Sequence, residues 1–217
     1  MLDFSIVVNY FDMFMDGFIV TILASIVALI ASFILGAIIA VMRITPIAPL
    51  RWFGTIYTEF FRNIPLVIIA FFFYIGTPVL GIRFSGITAG TIALSIYTSS
   101  FIAEAIRSGI LSVPKGQMEA ARSSGLNYLQ TMRLIILPQA IKIVIPPIGN
   151  QFVNLVKNSS ILALIAGADL MYQADLISAR TYIVFDVYIF VALFYLVLTV
   201  PLSMGVGYLE KRLTNSR

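Results

Sequence analysis

The sequence predicts an all-α membrane protein with about five transmembrane helices. Of its 217 residues, 60% are hydrophobic and 11% charged, whereas an ordinary soluble domain carries roughly 25% charge. The apolar excess is gathered into long charge-free runs, as a lipid-facing chain requires. The asymmetry of Lys and Arg between successive connections then gives the spans an orientation.

Residues 17–42, 63–82, 84–103 and 187–209 contain no charged residue. Each approaches or exceeds the ~20 residues that carry a helix across the hydrocarbon. Helices are the expected form, since backbone groups in lipid have no water to bond. The flank of the first run carries Asp3, Asp12 and Asp16, with no Lys or Arg before Arg43. A secretory signal has the opposite charge and a shorter apolar core, so this run is read as a retained span.

A fifth span is expected between 138 and 168. Its charge-free part, 143–156, is short and holds Pro146, Pro147, Gly149, Asn150, Gln151 and Asn154, with Lys157 following. Proline removes an amide donor and disrupts a helix, so a broken helix is expected here. Polar residues at membrane depth tend to face protein or a water-filled cavity. Asn150, Gln151, Asn154 and Lys157 are therefore candidates for a solute pathway. A kinked structural helix whose amides bond its neighbours is the alternative. Lys157 also reads as a side chain that snorkels to the interface.

Five spans with the N-terminus outside put eleven Lys and Arg inside, Arg43, Arg51, Arg62 and Arg217 among them. Arg83, Lys157 and Arg180 are left for the outer side, and cytoplasmic connections are expected to be the richer in positive charge. All six Asp fall outside, where they are expected to form a solvated surface. Residues 44–61, with Pro46, Pro49, Trp52 and Tyr57, read as an interfacial stretch with aromatics at headgroup level. Residues 77–87 make a short outer loop, and 167–185 a longer outer segment with room for a short helix. No linker divides the chain, so 1–217 is one membrane domain.

His and Cys are absent. That removes the usual zinc sites, thiol nucleophiles and His bases, and no metal site is expected. The net charge of +4 is not massed into a tract that would bind nucleic acid. Glu104 and Arg107, three apart at the end of the third run, read as a helix-surface ion pair.

The longest inner loop, within 111–138, is not a passive linker. Ser112-Val113-Pro114 signals a helix start. Glu119 then falls early in the helix, where its charge suits the positive end of the dipole. Ala120 and Ala121 keep the surface thin enough for another protein's backbone to approach. Gly125 is placed to end the helix in a left-handed turn.

Glu119-Ala120-Ala121, three residues, Gly125, nine residues, Ile135, one residue and Leu137-Pro138 resembles, position for position, the EAA loop of bacterial ABC importer permeases. Phe61-Arg62-Asn63-Ile64-Pro65-Leu66, Ala103 to Ile110, Pro114-Lys115-Gly116-Gln117, Leu137-Pro138-Gln139-Ala140 and Leu155 to Ser160 are similar to the polar amino acid branch of that family. Asn63-Ile64 and Ser159-Ser160 stand where Gly-Thr and Thr-Ser are more usual. The resemblance implies a type I importer permease in the bacterial inner membrane, non-catalytic itself. It implies that 111–138 holds a coupling helix seated on a separate ATPase dimer, with Glu119, Ala120, Ala121 and Gly125 as its contact positions. ATP and Mg would be bound by that ATPase, for this chain has no Gly-x-x-x-x-Gly-Lys-Ser/Thr loop and needs no cofactor. It also implies a second permease, identical or homologous, and an extracytoplasmic solute-binding protein. The substrate implied is a polar amino acid. Without carboxylates in the middle of 143–156, glutamine, glutamate or aspartate are favoured over Lys and Arg. The rival is an ion-coupled secondary transporter or channel, which would need acids buried in its spans.

Overall fold

The computed structural model describes residues 2–214, so the expectation for Arg217 lies outside the described residues. The described chain is helical throughout: α1 (Ser5–Asn9), α2 (Phe11–Ile44), α3 (Ala48–Asn63), α4 (Leu66–Phe71), α5 (Gly86–Leu111), α6 (Lys115–Ser123), α7 (Tyr128–Thr131), α8 (Leu137–Asn158), α9 (Leu170–Thr181) and α10 (Phe185–Thr214). Four helical stretches are long and apolar enough to cross a membrane: Phe11–Ile44, Gly86–Leu111, Tyr128–Ile165 and Phe185–Leu213.

The expected second span differs from a single continuous helix. It is the distal arm of a bent pair, Ala48–Asn63 and Leu66–Leu80, whose axes meet at 105°. The bend has a local cause. Ile64 precedes Pro65 and is extended (φ −101°, ψ 135°), the conformation that proline imposes on its predecessor. Beyond α4 the chain continues as a π-helical turn (Phe72–Gly76) and a 3-10 turn (Thr77–Leu80).

A second difference concerns α8. It runs unbroken from Leu137 to Asn158 with Pro146 and Pro147 inside it, where a broken helix was expected. Each proline deletes one amide donor and costs about 3 kcal/mol in a free helix, and packing against α5 and α10 carries the helix through them.

The core is built around α5. Its buried positions are mostly small: Gly86, Ala89, Gly90, Ala93, Ser95, Thr98, Ser99, Ala103 and Gly109. Small residues let helices approach closely where lipid provides no hydrophobic drive for association. α5 packs against α2, α3, α4 and α8, and α10 closes on α8 and α9. At the end opposite the α6–α7 loop, Phe14, Leu170, Ala174, Ile177, Val187 and Phe190 form an apolar cluster joining α2, α9 and α10. The short outer helix expected within 167–185 is α9.

Candidate functional site

α6 begins after Pro114, which stands at the N-cap rather than in the first turn. It ends as the position of Gly125 predicts. Gly125 has φ +86°, its N–H donates to the Arg122 carbonyl at 3.1 Å, and the Leu126 N–H donates to the Ala121 carbonyl at 3.2 Å. These two bonds are the Schellman closure. A Cβ at Gly125 would meet nothing within 4 Å, so the turn's dihedral, and not packing, favours glycine there.

α7 opens with a reciprocal cap. The Asn127 side chain accepts from the Gln130 N–H, and the Gln130 side chain accepts from the Asn127 N–H, both at 2.9 Å. A π-helical turn (Met132–Ile136) leads into α8. Ile136, Val113 and Ala140 are buried together with Met118, Met132 and Ile135 against them. Gln139 Nε2 donates to the Ile135 carbonyl at 2.8 Å and lies 3.5 Å from Gln117 Oε1. The loop is thus fixed to the start of α8 by a small apolar cluster and one side-chain amide.

On this platform Glu119, Ala120 and Gly125 are exposed, while Ala121 is buried. Of the two alanines expected to keep the surface thin, only Ala120 lies on the open face. Ala121 faces inward and supplies the carbonyl that closes the cap.

The pathway candidates also separate. Asn150, Asn154 and Lys157 are exposed, at i, i+4 and i+7 on one face of the intact α8, and Gln151 is half-buried. None of the four lines the mostly apolar groove of about 460 Å³ near the other end of the bundle. That groove is lined by Pro65, Leu66, Asn158, Ser160 and Asp175, among others. Asp175 is exposed, as a solvated outer surface requires; it also accepts a hydrogen bond from the Tyr188 hydroxyl and stands at the rim of the groove. Nothing in residue spacing brings Asp175 to Asn158, because α9 and the turn before it set that proximity.

Asp169 departs from the expectation of a solvated surface. It is fully buried and caps α9, accepting from the N–H groups of Met171 at 3.2 Å and Tyr172 at 3.3 Å. Burial pushes its carboxyl up to about 6, against the pull of those amides.

A charge cluster at the loop end was legible only in part. Glu104 binds Arg107 at 2.7 Å, as the i, i+3 spacing predicts. Its other oxygen binds Arg43 of α2 and lies 3.9 Å from Arg62 of α3. Arg43 is also 3.9 Å from Glu59, and the Arg62 guanidinium lies 5.5 Å from the centre of the Phe101 ring. The cluster ties three helices together across sequence separations that no local pattern reveals.

The family described as binding-protein-dependent transport system inner membrane component matches residues 32–215. The chain belongs to this family. The permease is 69% identical over 98% of its length, and 98% of the relative's, to the probable glutamine ABC transporter permease protein GlnM of Bacillus subtilis. It is 31% identical to the glutamate/aspartate import permease protein GltK of Escherichia coli, over 97% of both chains. Among solved structures, an amino acid ABC transporter with histidines superposes with TM-score 0.92 at 38% identity, covering 98% of this permease and 99% of that chain. The MetNI methionine ABC transporter in an inward-facing form gives TM-score 0.78 at 20% identity, over 94% of this chain and 98% of that one, a likeness of fold. Membership makes the permease a multi-pass, non-catalytic inner-membrane component of an ABC transporter. It implies that ATP is handled by a partner ATPase and that a binding protein delivers the solute.

Proposed function

We propose that this permease forms the transmembrane path of an importer for glutamine or a closely similar polar amino acid, with α6 as the helix that receives the ATPase stroke. The observation that carries the reading is α6 itself. An exposed helix bearing Glu119 and Ala120, closed by the Gly125 turn, is fixed to the first turns of a spanning helix. Segment 111–138 is then the coupling loop. The ATPase dimer binds ATP and Mg, and a second permease, identical or homologous, completes the wall. The N-terminus lies outside, where the binding protein docks, and α6 lies in the cytoplasm.

The likeness to GlnM and GltK supports glutamine and acidic amino acids as cargo. The groove beside α9 is mostly apolar, but three polar side chains at it could meet the groups that such solutes share. Asp175 suits an α-ammonium, while Asn158 and Ser160 offer donors to a carboxylate and both donors and acceptors to a side-chain amide. The exposed face of Asn150, Asn154 and Lys157 would line the onward path against the second permease, with Gln151 at its edge.

The test is co-purification of the tagged permease from its native membrane, wild type against Glu119→Lys, followed by uptake in proteoliposomes with the captured ATPase and binding protein. The proposal expects an ATPase with wild type, its loss from the variant, and ATP-dependent uptake of labelled glutamine. Wild type that retains no ATPase, and takes up glutamine only under an ion gradient, would establish the rival mechanism.

A further inference from the structure

α3 has three sectors around its circumference. Gly54, Tyr57, Thr58 and Phe61 turn toward α2 and α5, with Gly54 and Thr58 buried. Arg51, Thr55, Glu59 and Arg62 recur at i, i+4, i+8 and i+11, which places them along a second, polar edge. The third sector carries Trp52, Phe53, Ile56 and Phe60, all more than half exposed. At 3.6 residues per turn these sectors are centred roughly a third of a turn apart. A helix between protein and water needs only two sectors. An exposed apolar third sector calls for a third environment.

Contacts fix the level at which α3 crosses the bundle. A Cβ on Gly54 would lie 2.8 Å from Arg43 Cγ and 3.2 Å from the Ile39 carbonyl oxygen. α3 therefore crosses α2 where the charge-free run 17–42 ends. The Tyr57 hydroxyl lies 2.7 Å from Ser99 Oγ, and Arg62 lies 3.9 Å from the Glu104 carboxylate. α3 therefore crosses α5 where the run 84–103 ends. Charged side chains are costly in hydrocarbon, so the ends of both runs mark its boundary, and α3 lies at that depth on each neighbour. Its direction agrees. The 105° between α3 and the transmembrane arm lays α3 close to the membrane plane.

The apolar sector is continuous with the outside of that arm. Phe60 lines a crevice of about 220 Å³ together with Ile68 and Phe72, and all three are more than half exposed. Trp52 lies two turns before Glu59, at the border between the apolar sector and the polar edge. An indole, apolar in its body and polar at its N–H, is favoured at such a border.

We infer that α3 is an interfacial helix whose Trp52, Phe53, Ile56 and Phe60 sector is embedded in the headgroup–acyl boundary of the leaflet on the α6 side, with the lipid surface as its partner. A helix with one apolar side and a charged edge lies in this plane, its apolar side in the acyl boundary. The consequence is positional. Through the Gly54 contact and the Arg43–Glu104–Arg62 cluster, α3 fixes the depth of α2 and α5. α5 runs on from Glu104 to Leu111 past that plane, a distance of about 10 Å at 1.5 Å per residue. The α6 loop is thereby held clear of the headgroups.

The test uses the full chain in nanodiscs and needs neither ATPase nor transport, so its outcome is separate from that of the proposed function. Trp52 is the single tryptophan, so the wild-type chain carries its own probe. Its fluorescence is measured in phosphatidylcholine–phosphatidylglycerol discs whose chains are brominated near the carbonyls, at mid-chain or near the methyl end. The expected result is quenching that is strongest from the shallow bromines, by about twofold or more over the deepest. In Trp52→Phe/Thr55→Trp the indole moves to the polar edge. Brominated lipid should then quench it several-fold less than in wild type, and aqueous iodide several-fold more. Strongest quenching of wild type by the deep bromines would overturn the inference, since α3 would then lie within the hydrocarbon. Absence of lipid quenching from wild type would overturn it too, because protein, such as a second copy of this chain, would then cover the sector. An equal response from the two indoles would likewise overturn it, for the helix would have no lipid-facing side.

Discussion

The connector between α5 and α8 and the connector between α8 and α10 leave opposite ends of the same bundle. The first keeps its backbone ordered with bonds it makes to itself: the Schellman closure at Gly125 and the reciprocal Asn127–Gln130 cap. Most of its side chains are exposed. The second is ordered by burial. Asp169, Leu170, Ala174 and Ile177 are fully enclosed, and Ala166 and Ala168 are held at φ 56°, a left-handed conformation that costs a non-glycine residue about 1–2 kcal/mol. A segment that must present a face to another protein cannot rely on its own core to hold it, so local caps take that role. A segment that closes the bundle can tolerate strain, because its surroundings leave it no other conformation.

The largest effect should come where the second connector meets α5. A Cβ on Gly86 would stand 1.9 Å from the Ile165 carbonyl oxygen, backbone against backbone. Gly86→Ala should destabilise the permease by about 3 kcal/mol or more, visible as a lower melting temperature in detergent. An unchanged melting temperature would mean that this end is looser than the comparison requires.

Asp169→Ala should cost about 2 kcal/mol, through the lost cap and the orphaned amides. The pH dependence sharpens this. The folded carboxyl titrates near 6, above its ordinary 3.8, so the folded state holds the proton more tightly. The associated stabilisation is fully present below about pH 4 and is lost as pH rises through 6. Melting scans from pH 4 to 7 should show this decline in wild type and not in Asp169→Asn.

In the first connector the same kinds of change should act locally. Gly125→Ala forces a left-handed alanine at a cost of about 1 kcal/mol. It should weaken ATPase retention while the bundle's melting point barely moves, and Gly125→Asn should be milder. Glu119→Lys should be the smallest in stability, within about 0.5 kcal/mol, yet should abolish ATPase capture. If Glu119→Lys lowered the melting point as much as Asp169→Ala, the two connectors would not differ as described.

Much of this was readable from residue order. The charge-free runs marked four spans, Gly125 announced its turn, and the spacing of Glu104 and Arg107 announced their pair. What escaped depends on three dimensions. Asp169 and Asp175 look alike as isolated acids in a polar segment. One is sealed beneath α2 and the other stays exposed, because α9 packs back onto the bundle by one face. Arg43 and Arg62 meet Glu104 only after α2, α3 and α5 assemble. Pro146 and Pro147 suggested a break, since a local rule for proline does not register the packing that keeps α8 unbroken.

Those prolines also set how force travels along α8. The helix is joined directly to the α6–α7 loop, and near its middle two consecutive rungs of its hydrogen-bond ladder are missing. A rod notched in this way transmits a push along its axis but yields to bending at the notch. Displacement delivered at the loop would therefore emerge as a swing of the segment bearing Asn150 and Asn154, while the segment below the notch, from Leu137, moves with the loop as one piece.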